Sequence, residues 1–399
     1  MKNAACLILI FVLLITLSFS AAAERTYAPA VWSGNSDISW YEESREEFTL
    51  ASAEQLAGLA QLVNSGTSFE GKIVNLGCDI KLNSGNFDKN GVYDGERSEI
   101  KDWTPIGRKN SYFKGTFDGN GHTVSGIHIF TMDEYTGFFG YSTGEIRNVS
   151  VVSGSVRGGD RTAAVCGYNR NGIVEGCYSD CFVYSSWWGG GITGVTSGMG
   201  RVSRCANNGS IRANISAGGI CGMLTETHAV IEDCFNSGRI YGGLYGGGIC
   251  GMNELAKINT CVNVGEIFSD EPYPVAKKYT HFDSGKHTQI TNCRYLAGQE
   301  LMEDGSTALT QHQMCDRFSV NFSGFDEEIW QTGTTDISGD VPAPEGMYAA
   351  GQYPKINGVG EPVYFYAKGN PQTGISGTVV LTMIAVSAAI CVISFRKKR

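Results

Sequence analysis

From residue 138 to residue 268 the chain sets its apolar residues in short phrases, three to a repeat, each bounded by glycine or asparagine. The phrase GGICGM at 218–223 returns at 247–252. Aligned on the glycine that closes this phrase, Gly140, Gly167, Gly194, Gly222 and Gly251 are spaced 27, 27, 28 and 29 residues apart. A fixed period of this size predicts a solenoid or an array. Three apolar phrases per period predict three strands per turn. A helical repeat would need apolar residues at i, i+3, i+4 and i+7 over ten or more positions, which no repeat offers. A propeller blade would need four strands and a longer period.

Stacked strands lie ~4.8 Å apart, so equivalent residues of successive coils form columns. One column is Val149, Cys177, Cys205, Cys234, Cys261 and Cys293; another is Val156, Val183, Ile211, Ile240 and Ile267; Cys221 and Cys250 start a further ladder. Eleven cysteines fall between Glu24 and Thr373, an odd number. Side chains stacked in parallel suit a disulfide poorly, so the expectation is buried thiols packed as small hydrophobes. No C-x-x-C occurs, Cys177-x-x-x-Cys181 alone is a poor start for a zinc site, and the six histidines are scattered. No metal and no cofactor is expected.

A solenoid has open ends that invite pairing with other chains. Ser52-Ala53-Glu54-Gln55 has the form of a capping box, with Ser52 at the N-cap and Gln55 at N3. It opens an amphipathic run with Leu56, Leu59, Ala60 and Val63 on one face, stopped by residues 64–66. This predicts one short helix laid over the first coil.

The candidate binding residues lie one position past the inward Val/Ile column: Arg157, Tyr184, Arg212, Tyr241 and Phe268, facing outward by strand alternation. Trp188 and Tyr245 take equivalent places in two nearby loops, with Ser216 between them. Such a cationic and aromatic stripe fits contact with a glycan or a protein, and equally a cation–π ladder that only steadies the coils. Candidate catalytic carboxylates are Glu175 and Glu232, two coils or about 9.6 Å apart, near the upper end for an inverting glycosidase. In the next column, Asn148, Gly176, Arg204, Asp233, Thr260 and Asn292, Arg204 and Asp233 are expected to pair. A solvated charged face accounts for these residues without any catalysis.

The two ends read as addresses. Lys2, the apolar stretch 6–19 and the small-residue site Ala21-Ala22-Ala23 form a signal peptide, with cleavage set by Ala21 and Ala23. Residues 375–395 carry no charge and are followed by Arg396-Lys397-Lys398-Arg399, the pattern of a transmembrane helix with a basic stop. Without these two ends, 26 basic residues face 40 acidic ones, a net charge of −14 that argues against a nucleic-acid partner.

GGICGM…IEDCFNSGRI and GGICGM…INTCVNVGEI resemble the GLUG repeat of bacterial surface proteins, and FTLASAEQLAGLAQLVNSGTSFEGKIVNLGCDIKL…WTPIG…FKGTFDGNGHTVSGIHI…GFFGY resembles the lead-in that often precedes it. The likeness covers roughly residues 48–300, and with the spacing it implies an all-β fold, a right-handed parallel β-helix. IgA-cleaving peptidases that share such repeats are metalloenzymes, and this chain has no H-E-x-x-H. Asn370-Pro371-Gln372-Thr373-Gly374, ahead of the apolar span and basic tail, resembles a Gram-positive cell-wall sorting signal. That likeness implies sortase cleavage between Thr373 and Gly374, attachment of Thr373 to peptidoglycan, and a membrane-held precursor. The expected organisation is signal peptide 1–23, lead-in 24–47, capping helix and first coils 48–137, repeat β-helix 138–300, closing segment 301–356, spacer 357–369 and sorting signal 370–399. The expected function is a secreted, wall-anchored binding, adhesion or structural module with a host or microbial glycan or protein ligand. The alternative is a carbohydrate-active hydrolase or lyase.

Overall fold

The computed structural model describes residues 29–279, 288–315, 322–331, 333–334 and 347–368. The signal peptide, the sorting motif and the expected transmembrane helix lie outside them. Among the described residues no helix is long and apolar enough to cross a membrane. The chain divides into Met1–Ala30 and Val31–Arg399, and the second unit holds the fold.

That unit is an all-β parallel solenoid of about nine turns. Two sheets run its length with nine strands each: sheet I from Glu47–Leu50 to Gln289–Thr291 and sheet II from Ile80–Lys81 to Thr307–Leu309. Three further sheets have six strands: sheet III from His128–Phe130 to Ile267–Phe268, sheet IV from Tyr135–Thr136 to Glu271–Tyr273, and sheet V from Phe139–Ser142 to Ala276–Tyr279. A complete turn therefore holds five short strands, where the sequence predicts three. The phrase IYGGLYGGGICGMNE is itself three strands, Ile240–Gly242, Tyr245–Gly247 and Cys250–Glu254, with bends at 243–244 and 248–249. Glycine makes the tight bends sterically feasible. A Cβ on Gly222 would lie 2.7 Å from the Gly189 nitrogen and from the Gly194 carbonyl oxygen, so this column admits no side chain.

The inward columns fill the core as the alternation predicts. Val156, Val183, Ile211, Ile240 and Ile267 pair in register and are buried, as are Val149 and the five ladder cysteines. All eleven cysteines among the described residues are free thiols, ten of them buried. Each ladder thiol donates to the carbonyl two residues before it: Cys205 to Ser203 at 3.2 Å, Cys234 to Glu232 at 3.1 Å, Cys261 to Asn259 at 3.2 Å. Two residues after the cysteine comes a buried asparagine ladder. Asn207 Nδ2 donates to Asn236 Oδ1 at 2.9 Å, and Asn236 Nδ2 to Asn263 Oδ1 at 2.8 Å. Each asparagine also closes its own bend, as Asn236 does by accepting from the Gly238 N–H at 3.2 Å.

Between sheets I and II the chain bends through one left-handed residue per coil: Asn148, Gly176, Arg204, Asp233, Thr260 and Asn292, with φ between 48° and 62°. Gly, Asn and Asp tolerate that region; for Thr260 and Arg204 it is held by the stacked coils.

The helix Ala53–Asn64 caps the first coil. Ser52 Oγ accepts from the Gln55 N–H at 3.2 Å, while Gln55 Oε1 accepts from the Ala51 N–H at 2.8 Å, one residue earlier than in the usual box. Leu56, Leu59, Ala60 and Val63 are buried beneath it, and Gly66, at φ 113°, ends the turn.

The closing segment does not simply extend the stack. Leu309, Met314, Trp330, Tyr353 and Ile356 pack against Tyr178, Ala206, Phe235 and Val262, the outward column of sheet II. Gly360, at φ 67°, sits so close that a Cβ would lie 2.4 Å from the Tyr178 ring. The stretch expected as a spacer contains a strand, Tyr364–Lys368, paired antiparallel with Met347–Gln352.

Candidate binding face

Sheet II is covered from outside by the closing segment, and sheet I neutralises its own charges. On sheet I Arg147 pairs with Asp118 at 2.8 Å and with Glu145 at 3.2 Å, and Asn75 donates to Glu47 at 2.8 Å. Glu175 and Glu232 stand two coils apart with Ser203 between them, as the spacing predicts. Each is held by an arginine, Glu175 by Arg204 and Glu232 by Arg201. Arg204 thus reaches back to Glu175 rather than to Asp233, whose carboxylate is engaged by other donors. Asp233 instead accepts from Thr260 Oγ1 and from Trp330 Nε1. Carboxylates pinned in this way are poor proton carriers, and neither lines a cleft of the solenoid's first coils.

Sheets III, IV and V present a different surface. The register joins Phe130, Arg157, Tyr184, Arg212, Tyr241 and Phe268 into one outward column on sheet III, which adds Phe130 to the residues expected from sequence. Phe130 is 73% exposed and Phe268 48%. Tyr241 and Phe268 stack at 5.0 Å with 13° between their planes. Arg157 lies over the buried Phe182 ring at 4.7 Å; Arg212 lies over the same ring at 5.8 Å and over Tyr241 at 4.7 Å. The Tyr184 hydroxyl between them donates to Asn214 Oδ1 at 3.1 Å.

Trp188, Ser216 and Tyr245 are also in register, but on the strands of sheet IV rather than in loops. Their column runs Tyr135, Arg161, Trp188, Ser216, Tyr245, Glu271. Arg161 is enclosed by three rings, Trp188 at 5.2 Å, Tyr135 at 5.3 Å and Tyr168 at 5.4 Å, and pairs with Asp160 at 2.5 Å. Lys277 is fixed similarly, between Tyr245, Tyr273 and Glu271. Burial works against its charge, yet hydrogen bonds to Glu271 and Tyr273 hold its pKa above the ordinary lysine value. Both cations steady the wall they stand in. Trp188 is half-buried in that wall; the exposed indole is Trp187, 53% accessible on the ridge between sheets III and IV, and Leu244 takes the equivalent place two coils on. The doublet Trp187-Trp188 is plain in the sequence, but alternation alone selects the wrong member, because the bend between the sheets resets the phase.

The Tyr135 end of this face opens on a cleft of about 600 Å³ lined by Asn64, Arg108, Lys109, Asp133 and Glu134 among others. Beside it a second cleft of about 420 Å³ lies under Trp32, Asp102 and Trp103. Burial, opposed by the neighbouring Arg161, pushes the Tyr135 phenol up to about 12, so it stays protonated. Among the described residues no group of three His, Cys, Asp or Glu is placed to hold a metal ion.

Fold and face together define a parallel β-solenoid with one aromatic and cationic side. A solved structure of similar fold, at 1.30 Å resolution, is a Bacteroides ovatus protein provisionally named an immunoglobulin A1 protease; it is 19% identical, with a TM-score of 0.54, over 80% of this chain and 94% of that one. No protein-family profile matches the chain, and no curated protein sequence matches it. At this identity the likeness establishes the fold.

Proposed function

We propose that the chain is a binding module of the cell surface that engages its ligand through sheets III and IV. The observation that carries this reading is the contrast between faces. Sheet I satisfies its own charges and sheet II is buried, while Trp187, Phe268 and Phe130 stand in solvent on one register-fixed side. Exposed aromatic side chains grouped on one surface favour recognition, since scattered ones need no explanation and grouped ones do. Replacing Tyr184, Trp187 and Tyr241 together by Ala is expected to abolish binding on a glycan and protein-ligand array while leaving the melting temperature within a few degrees. Unchanged binding with the fold intact would overturn the reading.

Delivery to the surface follows from the two ends, with the signal peptide cleaved after Ala23 and the wall linked to Thr373. Thr373→Ala is expected to move the protein from the wall fraction to the membrane fraction; wall linkage that survives the substitution would remove this part of the proposal.

A further inference from the structure

Arg157 and Arg212 differ from the other arginines of this face. Arg161 has Asp160 beside it, whereas among the described residues neither Arg157 nor Arg212 has a carboxylate partner. Both are turned onto Phe182, one from each side, at 4.7 Å and 5.8 Å. Phe182 is 3% exposed, so this platform is fixed. Two arginines on backbones about 10 Å apart across two coils thus turn their guanidiniums onto one ring, with Tyr184 on the coil between them and its hydroxyl bonded to Asn214. On a chain of net charge −14 once its ends are removed, two unpaired cations at fixed points are a local reversal of sign.

We infer that this pair is the anchor for the carboxylates of an acidic sugar, a uronic or a sialic acid, with Tyr184, Tyr241 and Trp187 meeting the sugar's faces and hydroxyls. The inference rests on the proposed binding face and adds the ligand class. A guanidinium offers parallel N–H donors that match the two oxygens of a carboxylate, and cation–π stacking holds that fork ready without consuming its donors. An acidic peptide fits less well. Peptides that bind β-sheets commonly add a strand at an open edge. Between its end strands, the backbone of sheet III is paired on both sides from coil to coil. Only side chains remain there to read a ligand.

The test titrates the protein with oligogalacturonate and with sialyllactose, each beside its methyl ester, which keeps the shape and removes the charge, and with an oligoglutamate peptide. The expected result is binding of at least one acid, about tenfold or more weaker binding of its ester, and weakening by added salt. Arg157→Gln with Arg212→Gln should erase the difference between acid and ester, and Arg→Lys at both positions should restore it only in part. Equal binding of acids and esters would overturn the inference and leave the binding face standing. So would a discrimination unchanged in the double Gln variant. Tighter binding of oligoglutamate than of either sugar acid would reassign the ligand to peptide. Failure of every probe here, together with a blank array, would remove both readings.

Discussion

The indole of Trp330 donates to the Asp233 carboxylate at 3.3 Å across 97 residues of sequence, pinning the closing segment to the middle of the solenoid. Trp330 is 4% exposed and packs with Phe325 at 5.1 Å. Trp330→Ala is expected to cost about 3 to 5 kcal/mol, from lost burial and the cavity left behind. It should also bring early proteolytic cleavage in the 301–356 region, read by thermal unfolding and limited proteolysis.

The asparagine ladder makes a second prediction. Asn236 is fully buried and bonded to both neighbouring asparagines and to its own bend. Asn236→Ala leaves the buried Gly238 N–H without its side-chain acceptor and takes one ladder bond each from the Asn207 amide and the Asn263 oxygen, at about 2 to 4 kcal/mol. Asn208, one residue past the ladder, is half-buried and accepts from Ser237 Oγ at 3.2 Å; its replacement by Ala should cost about 1 kcal/mol or less. Comparable losses at the two sites, in denaturant titrations, would show that the ladder contributes little.

The cysteines predict an order of reactivity. Cys78 is half-buried, while Cys177 and Cys261 are buried thiols whose pKa desolvation holds well above the ordinary value. In the native protein a thiol reagent is expected to label Cys78 first, slowly because burial and Asp79 raise its pKa too, and to reach the ladder only in denaturant. Peptide mapping of the labelled protein reads the order.

Asp180 predicts a pH dependence. Burial raises its pKa, against the pull of the Ser153 N–H and Lys89. A carboxyl whose folded pKa is raised favours the native state below its unfolded value of ~3.9 and loses that contribution as pH rises through the folded pKa. Above its folded pKa it is ionised at a cost, so Asp180→Asn, which can still accept from Ser153, is expected to raise the melting temperature there. The gain should shrink as pH falls through the folded pKa and be gone below about 4, measured by melting curves across that range.

Much of this molecule is legible in one dimension because a solenoid is a local fold. Each coil pairs with the next at a nearly constant offset, so the period alone places Cys205 over Cys177 and Tyr241 over Arg212. The apolar residue directly after each ladder cysteine, Tyr178, Ala206, Phe235 and Val262, was an equally plain signal for a covered outer face. What covers it lies up to about 180 residues away in sequence, where no period reaches.

The amino-acid order thus determined the stacking, the inward columns and the outward stripe from Arg157 to Phe268, since each follows from alternation and a repeat between neighbours. Only the tertiary structure decided how many bends a coil contains, and with them which of Trp187 and Trp188 meets solvent. It alone decided which arginines find a carboxylate: Arg161 and Arg204 do, and Arg157 and Arg212 do not among the described residues. Charge pairing depends on side-chain reach across bends whose angles are set by packing, and packing is a property of all the coils at once.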